Sequence, residues 1–417
     1  MKTVPKNIWT ATALFVFILA ATVSFAQKPI VDLRPTVILI SIDGMRADYL
    51  DRFDPVALTR MAKEGTRAKW MIPSFPTKTF PNHYTIATGL YPANHGIVEN
   101  NVYDFGTVFT MSKREEVRNP RWWGGEPIWI TATKQGQLAG SYFFVGTEAP
   151  IERVNIWKTR YYNGGVPNNM RVDKVLSWLD NPAADRPTMI TLYFSDVDDA
   201  GHEFGPDAEE TKYAVWDVDQ SIGRLMEGLR AREIEDKVNV IIVSDHGMAK
   251  VNVRNTTFLD DHFDFADTER ILWTSEIVQI FPKPGKEDAI FDKIKALPHV
   301  TCWKKKDIPE RLNYKQGKRV APIICSSEEG WVTTHHERYD DWIKSLDDLD
   351  RPRGAHGYDN SLESMRATFI ARGPAFKSGF VAEPFPNVDV YNLMCTILGL
   401  KPAPNDGKIE RVKAMLR

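Results

Sequence analysis

Three acidic positions in this sequence follow short apolar runs, and two of them are accompanied by a histidine. Asp245 and His246 follow the β-branched run 240–243 and Ser244, and Gly247 comes after them. Such a run suits a buried strand and is too short for a helix. Since neighbouring strand side chains point to opposite faces, Asp245 and His246 reach one centre only if the chain leaves strand geometry, which Gly247 allows. Taken alone, a chance pair in a surface loop explains them better.

Two further stretches repeat the pattern of an apolar run followed by an acid. Residues 36–42 lead into Asp43, and residues 188–194 lead into a segment where His202 follows Asp198 at a spacing of four. That spacing places both side chains on one face of a helical turn. In a parallel sheet such strand ends meet at one edge, where ligands bind. Helix capping explains one or two of the acids but not the accompanying imidazoles.

A third histidine of this kind, His356, lies in the glycine-flanked loop 354–360. The three aspartates and three histidines supply oxygen and nitrogen ligands that suit zinc. Six ligands are too many for one tetrahedral zinc and suit two, and two metals about 4 Å apart assist in-line phosphoryl displacement. We therefore predict a site with two Zn²⁺ ions. The other six histidines lack a carboxylate at useful spacing, and we expect them to be structural.

Such a site needs a nucleophile, and the proline-rich stretch 73–84 offers Thr79. A helical pattern follows and ends at Gly89. We place Thr79 at the N-cap of this helix, with Pro81 in its first turn. A hydroxyl at that position lies where backbone N–H groups and the helix dipole favour an anion. On this stretch alone, a plain capping threonine is the better explanation.

Strand-like runs alternate with helical patterns along the chain. The runs are 36–42, 188–194, 240–243 and 367–373, and the helical patterns include 55–64, 170–179 and 209–230. This alternation predicts an α/β fold with a mostly parallel central sheet and helices on both faces. The region from about 255 to 353 breaks the alternation and is rich in charge and aromatic residues. We interpret it as an insertion packed on the same domain, before the last ligand His356.

The chain has 417 residues, is 43% hydrophobic and carries a formal net charge of −2. This composition is globular and gives no support for a nucleic-acid or anionic-membrane partner. Lysines, an apolar run and small residues up to Ala26 predict a signal peptide over residues 1–26. We expect an exported protein, periplasmic or secreted, with residues 27–417 as a single catalytic domain and no stable membrane anchor. No obligate protein partner is evident.

Three cysteines are present in the sequence, and they do not form a metal motif or a disulfide framework. Cys302 and Cys325 flank a segment that can fold back as a hairpin, so an exported protein can pair them. Cys395 lies in an apolar run, and we expect it to be a small core residue.

Longer motifs resemble the nucleotide pyrophosphatase/phosphodiesterase family of the alkaline phosphatase superfamily. The matching blocks, in family order, are 41–44, 76–84, 88–100, 125–129, 162–167, 198–206, 244–248 and 354–360. They span nearly the whole chain after the signal peptide. The cysteine-rich and nuclease-like domains of the animal relatives have no counterpart in this sequence, so we expect a bacterial-type stand-alone catalytic domain.

The resemblance implies a role for each candidate ligand. The ligands of one zinc would be Asp198, His202 and His356. The ligands of the other would be Asp43, Asp245, His246 and Thr79. Thr79 would also be the nucleophile that forms a covalent threonyl–nucleotide intermediate. Asn100, which is otherwise a turn residue, and the backbone N–H of Thr79 or Phe80 would stabilise charge on a non-bridging phosphoryl oxygen.

The resemblance also implies a nucleotide substrate, because a base stacks between two aromatic residues in the nucleotide-cleaving members. Phe80 and Tyr162 match those positions, and Met111 is a further wall. Core packing is the alternative for Tyr162 and Met111. Lys78 either approaches the distal phosphates or is solvated.

These inferences predict a zinc-dependent nucleotide pyrophosphatase/phosphodiesterase. It would convert nucleoside triphosphates, dinucleotides and related diesters to nucleoside monophosphates. The alternatives are a phosphomonoesterase or a lysophospholipid-type phosphodiesterase on the same two-zinc frame. A binding protein without turnover is disfavoured by the intact Thr79 and the full ligand set.

Overall fold

The structure is a computed structural model that describes residues 28–417, so the predicted signal peptide lies outside the described residues. The strands are β1 (Thr36–Ile42), β2 (Thr66–Ala68), β3 (Met71–Ile72), β4 (Val102–Asp104), β5 (Thr107–Phe109), β6 (Ala139–Tyr142), β7 (Lys158–Arg160), β8 (Met189–Phe194), β9 (Val238–Val243), β10 (Ala249–Val251), β11 (Thr256–Phe258), β12 (Thr268–Trp273), β13 (Ile277–Pro282), β14 (Val300–Lys304), β15 (Ile323–Ser327), β16 (Val332–Thr334), β17 (Arg353–Ala355), β18 (Phe369–Arg372), β19 (Phe380–Ala382) and β20 (Phe385–Pro386).

Helices occur between most of the strands of the central sheet. They are α1 (Tyr49–Phe53), α2 (Val56–Glu64), α3 (Thr79–Thr88), α4 (Pro92–His95), α5 (Arg114–Val117), α6 (Ile128–Lys134), α7 (Asn168–Leu179), α8 (Asp196–Phe204), α9 (Glu209–Ala231), α10 (Glu287–Ile294), α11 (His336–Lys344) and α12 (Asp389–Leu398). Over residues 28–417, none of the helices combines the length and the apolar character that a membrane crossing requires.

The central sheet has eight strands in the order β19-β2-β18-β9-β1-β8-β6-β7. From β9 to β7 every neighbouring pair is parallel, which confirms the prediction of a mostly parallel sheet. Strand β18, predicted from residues 367–373, runs antiparallel to both β9 and β2. Its apolar run fits a buried strand of either direction, so the sequence pattern does not distinguish the two.

Both faces of this sheet are covered by helices. On β1, Val37 and Leu39 point into an apolar core shared with α3, α6 and α12, whereas Ile38, Ile40 and Ile42 point into a second core shared with α2, α7 and α9. Because successive strand residues alternate between the faces, a strand buried on both sides is apolar throughout. Because the middle of the strand is buried on both sides, polar side chains that can bind a ligand are expected at the strand ends.

The region interpreted as an insertion contains a separate antiparallel sheet in the order β12-β13-β15-β14, with its own apolar core. Strands β14 and β15 form the expected hairpin and place Cys302 opposite Cys325. These two cysteines are joined by a disulfide, and Cys395 is buried in the main core as predicted. The turn between β12 and β13 contacts the start of α3 through Glu276 and Lys78.

Candidate metal centre and active site

The candidate ligands come together at the carboxyl ends of neighbouring strands. Asp43 directly follows β1, Asp245 lies two residues beyond β9, and β8 leads into α8, which carries Asp198 and His202. Since β9, β1 and β8 are adjacent and parallel, their ends lie side by side. His356 joins them from the residue directly after β17.

The six side chains form two groups of three. In each group, one potential ligand atom per residue lies within 4.8 Å of the others, and the groups are Asp43, Asp245 and His246, and Asp198, His202 and His356. These are the two sets that the family resemblance implies.

Distances within the groups match the spacing of ligands around one metal ion. His246 Nε2 lies 2.9 Å from Asp245 Oδ2 and 3.3 Å from Asp43 Oδ1. Asp198 oxygens lie 3.5 Å from His202 Nε2 and 3.7 Å from His356 Nε2. Two ligands bonded to zinc at about 2.0–2.1 Å in tetrahedral geometry are roughly 3.3 Å apart. Both groups therefore suit an ion of this size.

Each candidate imidazole is oriented by a hydrogen bond from its Nδ1 atom to a backbone carbonyl. The Nδ1 atoms of His246, His356 and His202 contact the carbonyl oxygens of Gly247, Thr77 and Gly354 at 2.8, 2.8 and 2.9 Å. A carbonyl only accepts hydrogen bonds, so each Nδ1 carries a proton and Nε2 is the nitrogen that can bind a metal ion. His83 differs, because its ring nitrogens contact Ser41 Oγ and the Thr79 carbonyl, so both are occupied. The prediction that His83 is structural agrees with this arrangement.

The aspartates of the site carry buried oxygens that suit a bound cation. Asp43 Oδ1, Asp198 Oδ1 and Asp245 Oδ2 are buried without a hydrogen-bond partner. Burial, together with the charges of Asp245 and Asp198, raises the pKa of Asp43 well above its usual range. An unpaired buried carboxylate is costly, and a bound divalent cation removes both the cost and the repulsion. The mixed carboxylate and imidazole donors fit zinc.

Thr79 stands beside the first of these groups. Its Oγ1 atom lies 3.3 Å from His246 Nε2. Thr79 is the first residue of α3 and Lys78 is the N-cap, so the prediction of Thr79 as N-cap is wrong by one position. The reason is that Lys78 keeps an extended backbone and its carbonyl already accepts the Asn82 N–H at 3.1 Å. Thr79 nevertheless lies at the positive end of α3, with Pro81 in the first turn.

Asn100 is attached to the same helix end. Its Oδ1 accepts the backbone N–H of Phe80 at 2.9 Å. Of the two backbone groups considered for charge stabilisation, the Phe80 N–H is thus already engaged. This bond orients the Asn100 amide and leaves its Nδ2 as the donor without a partner among the described residues.

A first cavity of about 230 Å³ opens beside Thr79. Phe80 and Tyr162 line it, as does Met111, so the structure brings the predicted base-binding residues together. Tyr162 and Met111 are 41% and 42% exposed, which rules out core packing as their role. Phe80 is buried against Phe109.

Sequence reasoning missed polar groups around this cavity. Arg114 and Glu148 line it and form an ion pair, and Glu148 also accepts the backbone N–H of Tyr162 at 3.0 Å. Tyr193 lines it too and donates to Asp43 Oδ2 at 2.6 Å. No local spacing in the sequence links these partners, since each pair is brought together by the fold.

A second cavity, of about 670 Å³, meets the first at Thr79, Met111, Asp198 and Asp199. Lys78 lines this second cavity but is buried and paired with Glu276 from the β12–β13 turn. The alternative that Lys78 is solvated is therefore wrong. Glu276 was not predicted, because it lies 198 residues from Lys78 in the sequence.

A mostly parallel sheet with two groups of metal-type ligands at its carboxyl edge defines an alkaline phosphatase-like α/β protein. The chain belongs to the type I phosphodiesterase / nucleotide pyrophosphatase family, whose sequence profile matches residues 37–359.

Similar proteins come from snakes and mammals. A venom phosphodiesterase of Macrovipera lebetinus is 38% identical over 400 residues, covering 93% of this chain and 46% of the relative. Ectonucleotide pyrophosphatase/phosphodiesterase family member 3 of Rattus norvegicus is 36% identical over 398 residues, covering 92% of this chain and 44% of the relative. The chain spans about half the length of the curated relatives it matches. These relatives do not support the bacterial-type part of the expectation.

Solved structures give the same assignment. Murine ectonucleotide pyrophosphatase/phosphodiesterase 5 matches with a TM-score of 0.84 and 33% identity, covering 92% of this chain and 100% of that chain. A second structure with the same scores is an inactive threonine-to-alanine variant of the murine protein in complex with AMP.

Proposed function

We propose that this chain hydrolyses phosphodiester and pyrophosphate bonds of nucleotides and releases a nucleoside monophosphate. One observation carries the proposal. The Thr79 hydroxyl lies 3.3 Å from His246 Nε2, at the junction of an aromatic cavity and a second cavity. A hydroxyl so placed is positioned to attack a phosphorus atom whose two substituents occupy the two cavities.

We propose two Zn²⁺ ions as cofactors. One would be held by Asp198, His202 and His356, and the other by Asp43, Asp245, His246 and Thr79. Bound zinc supplies Lewis acidity, which makes the Thr79 alkoxide accessible near neutral pH and stabilises charge on phosphoryl oxygens. The unpartnered buried aspartate oxygens support this assignment.

In the first step, Thr79 Oγ1 loses its proton to solvent and bonds to phosphorus while the bond from phosphorus to the leaving oxygen breaks. The leaving group takes a proton from water. In the second step, water bonds to phosphorus, the Oγ1–phosphorus bond breaks, and Thr79 regains a proton. Asn100 Nδ2 would donate to a non-bridging oxygen; the bond from the Phe80 N–H to Asn100 Oδ1 at 2.9 Å, which orients the amide, supports this role.

A nucleoside is the group we assign to the first cavity. The base would stack on Phe80 and Tyr162, with Met111 as a further wall. The AMP complex of the murine relative and the names of the pyrophosphatase relatives support this assignment.

Phosphomonoesters are the competing substrates on the same metal frame, and lysophospholipids are a further alternative. A monoester dianion calls for extra positive charge beside the metals. The cationic side chains among the described residues lining the second cavity are Lys78 and Arg353, and both are ion-paired. This supports diesters over monoesters.

Hydrolysis of three compounds tests the proposal. We expect the p-nitrophenyl ester of thymidine 5′-monophosphate to be cleaved faster than p-nitrophenyl phosphate and lysophosphatidylcholine, with thymidine monophosphate as product. Faster turnover of the monoester or of the lipid contradicts it.

We also propose that the chain is exported, with a signal peptide over residues 1–26 and one catalytic domain over residues 27–417. The Cys302–Cys325 disulfide supports an oxidising compartment. N-terminal sequencing of the exported protein tests the cleavage after Ala26, and a mature protein that begins elsewhere contradicts it.

A further inference from the structure

Lys78, the residue before the proposed nucleophile, lines the second cavity, and its positive charge is already neutralised by a carboxylate. The Lys78 ammonium contacts the Glu276 carboxylate and the Thr274 carbonyl oxygen, the latter at 3.2 Å. The side chains of Lys78 and Glu276 are 6% and 8% exposed. Breaking a pair this buried leaves an uncompensated charge, so the pair is expected to persist when substrate binds.

The backbone at Gly357 also packs closely against Lys78. A Cβ atom added to Gly357 would lie 2.4 Å from Lys78 Cε and 3.2 Å from Glu276 Cβ. The backbone next to His356 therefore presses on the lysine side chain and on its partner. The ammonium is confined between this loop and the β12–β13 turn.

A further carboxyl group adds negative character near the same lysine. Glu99 is fully buried and accepts the Thr274 hydroxyl at 3.0 Å and the Asn101 N–H at 2.7 Å. Burial raises the pKa of Glu99 to about 7, although the nearby Lys78 charge acts to lower it. The charge of Lys78 thus acts on Glu99 as well as on its direct partner Glu276.

The other described residues that line the second cavity provide no free positive charge to bind a polyanion. Arg353, the other cation, bonds Asp347 Oδ1 at 3.0 Å and the Glu203 carbonyl at 3.4 Å. Asp199 and Glu203 add acidic side chains. The apolar lining includes Trp342, Val251 and Val332, and the volume of about 670 Å³ accommodates a group of nucleoside size.

We propose that Glu276 determines the leaving group: by neutralising Lys78, it makes the second cavity favour an uncharged alcohol, such as an aromatic or nucleoside hydroxyl, over a pyrophosphate. The inference rests on the proposed function, because it concerns the substituent opposite the nucleoside. A departing pyrophosphate carries several negative charges. Apart from the proposed metal ions, it meets carboxylates and no unpaired cationic side chain among the described residues lining the cavity.

Two substrates with one nucleoside isolate this effect. Thymidine 5′-monophosphate p-nitrophenyl ester and thymidine triphosphate present the same base to the first cavity and differ only in the leaving group. The readout is the ratio of their kcat/KM values, which cancels changes in nucleoside binding. We expect Glu276→Gln to shift this ratio towards the triphosphate by about tenfold, because the charge of Lys78 in the cavity wall is then uncompensated.

Three variants sharpen the test. Glu329→Gln makes the same change of charge at an exposed position of the same region and is expected to leave the ratio unchanged. The double variant Lys78→Gln/Glu276→Gln is expected to return the ratio to within about threefold of the wild type, because the ammonium is removed as well. If Glu276→Gln does not fold, Glu276→Asp replaces it, with a smaller shift in the same direction.

The outcomes separate the inference from the function on which it rests. If the wild type hydrolyses both substrates and the Glu276 variants leave the ratio unchanged, the inference is overturned and the proposed function stands. An equal shift in Glu329→Gln also overturns it, since bulk charge then explains the effect. If the zinc-loaded wild type hydrolyses neither substrate, the proposed function is contradicted, and the inference that rests on it is contradicted too.

Discussion

The imidazoles of His246 and His356 stack with ring centroids 3.5 Å apart and an angle of 14° between their planes. Each ring belongs to a different group of candidate ligands, so the two groups are in direct contact. Burial and the neighbouring His246, in that order, lower the pKa of His356 well below its usual range. Because both rings contact backbone carbonyls through Nδ1, their Nε2 atoms remain as the candidate ligands for two adjacent metal ions.

Zinc content is the first quantity that follows from this arrangement. We expect about two zinc ions per wild-type chain and about one in His356→Ala, because each group supplies its own ligands. Elemental analysis of the purified protein measures both. His336→Ala, at an exposed histidine paired with Asp260, is the control and should keep the wild-type content. A wild type with one ion or none contradicts the two-group assignment.

Removing the Tyr162 ring should weaken nucleotide binding. Base–aromatic stacking contributes roughly 1–3 kcal/mol, so Tyr162→Ala is expected to raise KM for nucleotide esters about tenfold. The KM for p-nitrophenyl methylphosphate, which lacks a nucleoside, should not change. Tyr161→Ala is the matched control, since Tyr161 is exposed and stacks on Arg118. An equal rise for both substrates would show that Tyr162 does not bind the base.

Stability should depend on pH through Glu99. Burial raises its pKa from 4.5 to about 7, so the folded protein binds this proton more tightly than the unfolded chain does. The resulting stability is full below about pH 4.5 and is lost as the pH rises through about 7.

Urea unfolding of the wild type and Glu99→Gln measures this contribution. The variant keeps the neutral state, so its advantage in unfolding free energy should grow by about 2 kcal/mol between about pH 5.5 and about pH 7.5. A constant difference over that range would mean that Glu99 does not titrate there.

Gly247 should be intolerant of a side chain for a steric reason. A Cβ atom at this position would lie 2.0 Å from the Ser364 carbonyl oxygen. We expect Gly247→Ala to lower the unfolding free energy by about 1–3 kcal/mol, because the backbone must shift. Gly223→Ala, inside α9 with only the Ala57 Cβ at 3.8 Å, is the control and should stabilise by about 0.5–1 kcal/mol. Equal effects of the two substitutions would contradict this explanation.

Much of the site was predictable because its geometry is local. Parallel strands bring their carboxyl ends together, so Asp43 and Asp245 had to lie at one edge. The spacing of Asp198 and His202 became one face of α8, with the side chains 3.5 Å apart. These inferences need only the period of a strand or a helix.

Other features depend on contacts between distant segments. Lys78 and Glu276 are 198 residues apart, and the direction of β18 follows from its connection and not from its composition. Gly247 was predicted for backbone freedom, whereas the structure requires it because the Ser364 carbonyl approaches so closely. Periodicity carries no information about such contacts.

Thr79 as the nucleophile is the centre of the proposed mechanism. Its central test is the diesterase activity of Thr79→Ala at wild-type zinc content, with Thr79→Ser as the variant that keeps a hydroxyl. We predict a fall in kcat/KM of at least about a thousandfold for the alanine variant and a smaller fall for the serine variant. Undiminished activity in zinc-loaded Thr79→Ala would contradict the mechanism.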